Sequence, residues 1–319
     1  MQSSLAMMNQ PKLLRTRETN KKKLIETNEY LGLLSGLKFG SALAQNQMLR
    51  RAIPSSGESL PIIGLGTSRV FDVDPENRQE LKIRKEIIEV LLNNGGSLVD
   101  TSPMYGQSED LIGAILNDYP RRNELFLATK VWTKGKTEGE QQISESFKKM
   151  NTTKMELIQI HNLVDWKTQI KTLRQMKESG EISYIGITHY KSSAFKEMED
   201  IIKKEPIDFA QFNYSIGERD AEERLLPICQ DYGVATIINR PFMRGKLFRS
   251  FKNQTLPNWC KDYDISSWGQ FFLKYIIANP AVTNIIPATS KSKNMLDNSF
   301  AGIGRVADLK IQKRMLEML

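Results

Sequence analysis

The sequence predicts an α/β chain folded as a single-domain (β/α)8 TIM barrel with an N-terminal leader. Three observations point there. After Ile53, short apolar runs alternate with helix-length amphipathic runs eight times, the short runs are apolar at nearly every position, and several end in a polar residue. Alternating strand and helix signals mark βα units of a parallel sheet, and continuous apolar runs mark strands buried on both faces. Eight such units close a barrel, whose binding site lies at the C-terminal ends of the strands.

Taken in order, strands are expected at 62–67, 97–101, 125–130, 155–161, 182–188, 209–215, 234–240 and 283–288. Helices are expected at 82–94, 108–117, 139–150, 167–178, 191–204, 219–232, 266–277 and 294–301. A barrel of roughly 250 residues fills most of the 319, so residues 45–319 read as one domain rather than two. An apolar fraction of 40% supports a sizeable core and excludes wholesale disorder. With 2 Cys and 2 His, neither a disulfide framework nor a structural zinc site is expected.

The formal charge of +8 raises nucleic-acid binding as a question, and its distribution argues against it. Residues 1–44 hold seven Lys and Arg against three Glu, half of the whole excess. In the remainder, basic residues are mixed with Asp and Glu, the pattern of a solvated surface. The leader itself follows Lys21-Lys22-Lys23 with a 14-residue stretch, 31–44, broken by Lys38 and ending in Ala42-Leu43-Ala44. It is too short and polar for a stable membrane span, which needs about 20 apolar residues. It fits a signal peptide for export to the periplasm, with cleavage before Gln45; the alternative is a cytoplasmic extension. No heptad pattern speaks for a coiled-coil oligomer.

The polar strand ends are Asp100 on the second strand, Tyr105 just after it, Lys130 on the third and His161 on the fourth. Neighbouring strands lie about 4.8 Å apart, so these tips can share one cavity. There an ammonium beside the phenol is expected to lower its pKa, the carboxylate to orient the ammonium, and the imidazole to hydrogen-bond the phenol or a substrate oxygen. Such a general acid suits protonation of a developing alkoxide. Any one of the four has an ordinary structural explanation; all four in order at successive strand ends do not.

Gly64-Leu-Gly-Thr67, Asp100-Thr-Ser-Pro-Met-Tyr105-Gly, Ala128-Thr-Lys130-Val-Trp132, Leu157-Ile-Gln-Ile-His161, Gly186-Ile-Thr-His189 and Ile286-Pro-Ala-Thr289 together resemble the aldo-keto reductase superfamily. The resemblance runs from Ile53 to Asn298. It implies an oxidoreductase that reduces an aldehyde or ketone, a small-molecule carbonyl substrate, by hydride transfer from a nicotinamide cofactor, with Tyr105 as acid and Asp100, Lys130 and His161 completing the tetrad. By the same resemblance, cofactor contacts fall on Thr67 and Ser68, on Thr188 and His189, where the family has a Ser-Asn pair, and on Gln211. Where many members stack a tyrosine on the nicotinamide, this chain has Asn239-Arg240-Pro241-Phe242. Arg240 is expected to face the pyrophosphate. Thr289, Ser290, Lys291 and Lys293 open a helix whose N-terminus suits a 2′-phosphate, favouring NADP(H) over NAD(H), and Asn298 matches an adenine contact. Trp132 and Phe242 are expected as apolar walls of the substrate pocket. The competing reading is a cofactor-binding regulatory or redox-sensing subunit with little turnover.

Overall fold

Along several strands of the barrel the inward-facing side chains change from apolar to polar, and that gradient sets where the site lies. The computed structural model describes residues 47–319; the leader, including the expected cleavage site at Ala42-Leu43-Ala44, lies outside the described residues. A short antiparallel hairpin comes first, β1 (Arg50–Ala52) with β2 (Ser59–Pro61). The parallel strands follow as β3 (Leu65–Gly66), β4 (Leu98–Asp100), β5 (Phe126–Val131), β6 (Met155–His161), β7 (Ile182–His189), β8 (Phe209–Asn213), β9 (Ala235–Asn239) and β10 (Asn284–Ile285). Each pairs with the next in sequence, and bridges Ile63–Ile285 and Gly66–Ala288 join the last strand to the first. The barrel closes where Gly66 lies against β10: a Cβ there would sit 2.8 Å from the Ile286 carbonyl oxygen.

The helices are α1 (Arg78–Asn93), α2 (Ser108–Leu116), α3 (Lys136–Lys149), α4 (Trp166–Ser179), α5 (Phe195–Lys204), α6 (Asp220–Glu223), α7 (Leu225–Tyr232), α8 (Lys246–Ser250), α9 (Trp268–Ile277), α10 (Ser292–Ala301) and α11 (Leu309–Leu316). Where the sequence predicts one helix over 219–232, the chain breaks at Arg224 (φ −133°, ψ −71°). Pro227 has no N–H and is tolerated only in a first helical turn, so a new helix begins just before it. The hairpin and α11 were not expected: the hairpin's three-residue strands are too short to show a period, and α11 declares itself through Asp308, whose carboxylate accepts the Ile311 N–H at 2.9 Å.

Strand alternation divides the core. Val99, Leu127, Ile158, Ile160, Ile185, Ile187, Phe212 and Ile238 face outward against the helices. Ile53, Leu60, Leu98, Phe126, Ala128, Leu157, Tyr184, Phe209, Ala235, Ile237 and Ile286 form a separate cluster inside the barrel, with the hairpin residues Ile53 and Leu60 plugging the N-terminal end. Two residues further along β4, β5, β6 and β8, the inward positions become Asp100, Lys130, Gln159 and Gln211, all buried. Register sets them side by side, Lys130 opposite Gln159 and Thr188 opposite Gln211.

Candidate active site

Above this polar layer opens a cavity of about 740 Å³, lined by loops from the C-terminal strand ends. Its size lies within the roughly 300–1,000 Å³ usual for small-molecule sites. At its floor Lys130, 1% exposed, donates from Nζ to both carboxylate oxygens of Asp100 at 2.8 Å and to the Thr101 carbonyl at 2.6 Å. Gln159 donates to Asp100 Oδ1 at 3.2 Å. The ammonium lies 5.1 Å from the centroid of the Tyr105 ring, and that ring meets His161 edge-on at 6.1 Å. The structure therefore brings all four expected strand-end residues to one place.

Local sequence explains how Tyr105 gets there. Ser102-Pro103-Met104-Tyr105 is a turn in which the Ser102 carbonyl accepts the Tyr105 N–H at 3.0 Å and the Ser102 hydroxyl accepts the Met104 N–H at 3.2 Å. Ser at the first and Pro at the second position suit such a turn. Gly106 follows at φ +60°, and a side chain there would collide with Asp72. Its absence lets Asp72 accept the Gln107 N–H at 3.0 Å and clip the loop in place.

Electrostatically the four groups pull on one another. Burial drives the Asp100 carboxyl upward, and the charge and hydrogen bond of Lys130, with Gln211 and Gln159, act against that rise. Burial works to lower Lys130, but Asp100 and Tyr105 outweigh it and hold the amine above its ordinary value. For Tyr105 the expected lowering does not occur. Burial raises the phenol, the Lys130 charge recovers only part of that, and the net direction is up. Burial, then Lys130 and His189, push His161 down to about 3, so its imidazole is neutral.

Of the other expected residues, Thr67, Ser68, Thr188, Gln211, Arg240 and Phe242 line the cavity. Trp132 stands at the rim, 38% exposed, with its ring 6.3 Å from His161. His189 is not brought into the cavity. It follows inward-facing Thr188, so alternation turns it the other way, where Nδ1 accepts the Lys191 N–H at 3.0 Å and the ring stacks on Tyr190 at 5.6 Å. Thr289, Ser290, Lys291 and Lys293 lie outside the cavity lining, where the chain leaves β10 and enters α10. Thr289 is buried and its hydroxyl accepts the Lys291 N–H at 3.1 Å, while Ser290, Lys291 and Lys293 are exposed. Asn298 is buried within α10, and its neighbour Asp297 is engaged by Ser267 and Gln270 of the α9 N-terminus.

Sequence reasoning missed Tyr190, Arg69 and Arg244. Arg240 packs its guanidinium 4.4 Å from the Tyr190 ring centroid. Arg69, Arg240 and Arg244 all line the cavity, all have left-handed backbone (φ 67°, 51° and 54°), and none forms an ion pair among the described residues. No periodicity marks a loop residue of this kind; their only sequence signal was position just after the first and seventh barrel strands. Asn162 Oδ1 and Asn239 Oδ1, both buried in residues of the lining, accept no hydrogen bond.

A family model described as the aldo/keto reductase family matches residues 62–308. The chain is 27% identical over 211 residues to the aldo-keto reductase YhdN of Bacillus subtilis (strain 168), a match that covers 61% of this chain and 62% of YhdN, under two thirds of that relative's length. It is also similar to the solved structure of a thermostable aldo-keto reductase, Tm1743, determined with the inhibitor epalrestat: 25% identity, TM-score 0.71, covering 85% of this chain and 100% of that one. An aldo-keto reductase from Klebsiella pneumoniae solved with NADPH shares the fold at 19% identity and TM-score 0.69, over 85% of this chain and 95% of its own.

Proposed function

The chain belongs to the aldo/keto reductase family, and from that premise we propose that it is an NADP(H)-dependent oxidoreductase that reduces small aldehydes or ketones to alcohols. One observation carries the reading: a buried Lys130–Asp100 pair beneath the Tyr105 ring, with a neutral imidazole at its edge, and Asp100, Tyr105 and His161 lining one cavity.

The residues present fit a nicotinamide cofactor. The orphaned acceptors Asn162 Oδ1 and Asn239 Oδ1 suit the N–H groups of a carboxamide, and a buried acceptor without a partner costs about 1–3 kcal/mol. Thr188 and Gln211 offer further polar groups. Arg240, Arg244 and Arg69 suit phosphate oxygens, for which the guanidinium fork is matched. Lys291 and Lys293 flank the N-terminus of α10, which has no side-chain cap and so presents free amides to an anion.

When bound, the cofactor supplies a hydride to the carbonyl carbon. Tyr105 gives its phenolic proton to the oxygen on which charge grows. An elevated phenol does not obstruct this step. A developing alkoxide is a much stronger base than a phenolate, so the proton is drawn towards it from a phenol, and the Lys130 charge offsets part of the rise that burial imposes on Tyr105. Lys130 stabilises the phenolate left behind, and Asp100 keeps Lys130 charged and aimed. Met104, Trp132 and Phe248, large and exposed around the mouth, give the carbonyl's apolar portion a surface to lie on.

The test is NADPH consumption by the purified protein with a panel of aldehydes and ketones, with the alcohol measured alongside. One alcohol formed per NADPH consumed is expected; cofactor binding without turnover on any carbonyl would refute the reading. Replacing Lys291 and Lys293 by Ala should weaken NADPH about tenfold per lost charged hydrogen bond and NADH little, and equal losses would remove the 2′-phosphate from this site.

A further inference from the structure

Ser102 is fully buried, and its hydroxyl lies 3.2 Å from His161 Nδ1. The same oxygen accepts the Met104 N–H at 3.2 Å. Hydrogen-bond accounting then separates the two forms of the neutral imidazole. With the proton on Nδ1, the Ser102 oxygen would accept twice, and its own O–H would be buried with no acceptor among the described residues. With the proton on Nε2, the Ser102 O–H donates to Nδ1, the Met104 N–H donates to Ser102, and every group at this junction is satisfied. Nε2 has no partner among the described residues, and His161 lines the cavity.

We propose that Ser102 is a positioning residue that fixes His161 in the Nε2–H form, so that the imidazole presents a hydrogen-bond donor to the carbonyl oxygen that Tyr105 protonates. This rests on the reductase reading for its catalytic meaning, though the tautomer itself does not. Ser102 thereby ties together both groups that meet the oxygen. Its carbonyl holds the Tyr105 N–H, and its hydroxyl sets the proton position on His161. The surroundings of the imidazole agree with a neutral donor: burial and then the Lys130 charge oppose its protonation, and Tyr105 and Trp132 present rings rather than carboxylates. The preceding residue, Thr101, spends its hydroxyl on Ser108 at 3.0 Å and cannot substitute.

The chain has only 2 histidines, so a long-range 1H–15N spectrum of the full chain resolves both rings. His189 is assigned from the loss of one set of signals in His189→Gln. At neutral pH, His161 should show a protonated Nε2 and an Nδ1 shifted by accepting a hydrogen bond. In Ser102→Ala that Nδ1 should move towards the value of a free, unprotonated ring nitrogen. A proton on Nδ1 in the parent, or an Nδ1 signal unmoved by the substitution, overturns the pairing. Steady-state kinetics supply the second arm. Ser102→Ala should lower kcat about threefold to tenfold, the worth of one hydrogen bond, with KM for NADPH unchanged. An unchanged kcat overturns the positioning role. A parent with the expected spectrum but no carbonyl turnover would instead refute the reductase reading and leave the tautomer assignment standing.

Discussion

The two ends of the barrel are built from the same strands and do opposite things. At the N-terminal end the inward residues are Leu98, Phe126, Leu157, Tyr184 and Phe209, closed off by Ile53 and Leu60 of the hairpin. Apart from the Tyr184 hydroxyl, bonded to Ser56 and Glu58, and Asn284, which donates to the Pro61 carbonyl, this end is apolar. At the C-terminal end, one or two inward positions later on β4 to β6, stand Asp100, Lys130, Gln159 and His161, held by hydrogen bonds, with Asp100 and His161 lining a cavity. The lower end gains stability from burying apolar area, about 1.5–3 kcal/mol per large side chain. The upper end buries charge and leaves acceptors unpaired, which costs stability and is retained for what it can bind. A single barrel thus separates the part that holds the fold from the part to which the proposed chemistry is assigned.

The separation should break most visibly at Lys130, which belongs to both. Lys130→Met leaves Asp100 buried without its partner. It should cost about 3–5 kcal/mol of stability and lower kcat about 10²-fold or more, read from denaturant midpoints and initial rates. A stable but inactive variant would show that the pair contributes nothing to holding the barrel.

Sharpening the contrast from the other end, Leu60→Ala removes a plug residue that is 1% exposed. A loss of about 2–5 kcal/mol is expected, with kcat at a permissive temperature within about twofold of the parent. Loss of turnover in the folded variant would mean that the plug reaches the site.

The smallest effect is in pH. His161 ordinarily titrates near 6.5 and is pushed down to about 3 in the folded protein. Between those values the unfolded chain binds a proton that the native state does not, so stability falls as pH falls, by up to about 1.4 kcal/mol per pH unit, and is unaffected above about 6.5. Urea midpoints measured between pH 6.5 and 5 should decline more steeply in the parent than in His161→Gln. Parallel slopes would mean that His161 is charged in the native state.

Much of this division is legible in the sequence. β6 begins and ends where the sequence predicts, because Met155 to His161 is a largely apolar run, interrupted by Glu156 and Gln159, with a polar end, and the strand-end rule found Asp100, Lys130 and His161. Less legible were features set by contacts distant in sequence. The hairpin strands are three residues each and show no period. The helix break at Arg224 required weighing Pro227 against an otherwise good amphipathic run. His189 shares a motif with Thr188, yet strand alternation sends the two side chains to opposite sides. The sign of the Tyr105 shift depended on how deeply the ring is buried, which composition near Tyr105 does not report. Ser102 was visible within the tyrosine motif, but its partner lies 59 residues away.

The most direct test of the account compares the parent with Tyr105→Phe, measuring NADPH consumption with a reactive aldehyde, NADPH affinity by quenching of tryptophan fluorescence, and the denaturant midpoint. The account predicts a fall in turnover of about 10²–10⁴-fold with affinity and midpoint nearly unchanged, because the substitution removes one oxygen from the upper end and nothing from the lower. Turnover equal to the parent's would contradict it, for then the proton that reaches the substrate does not come from Tyr105.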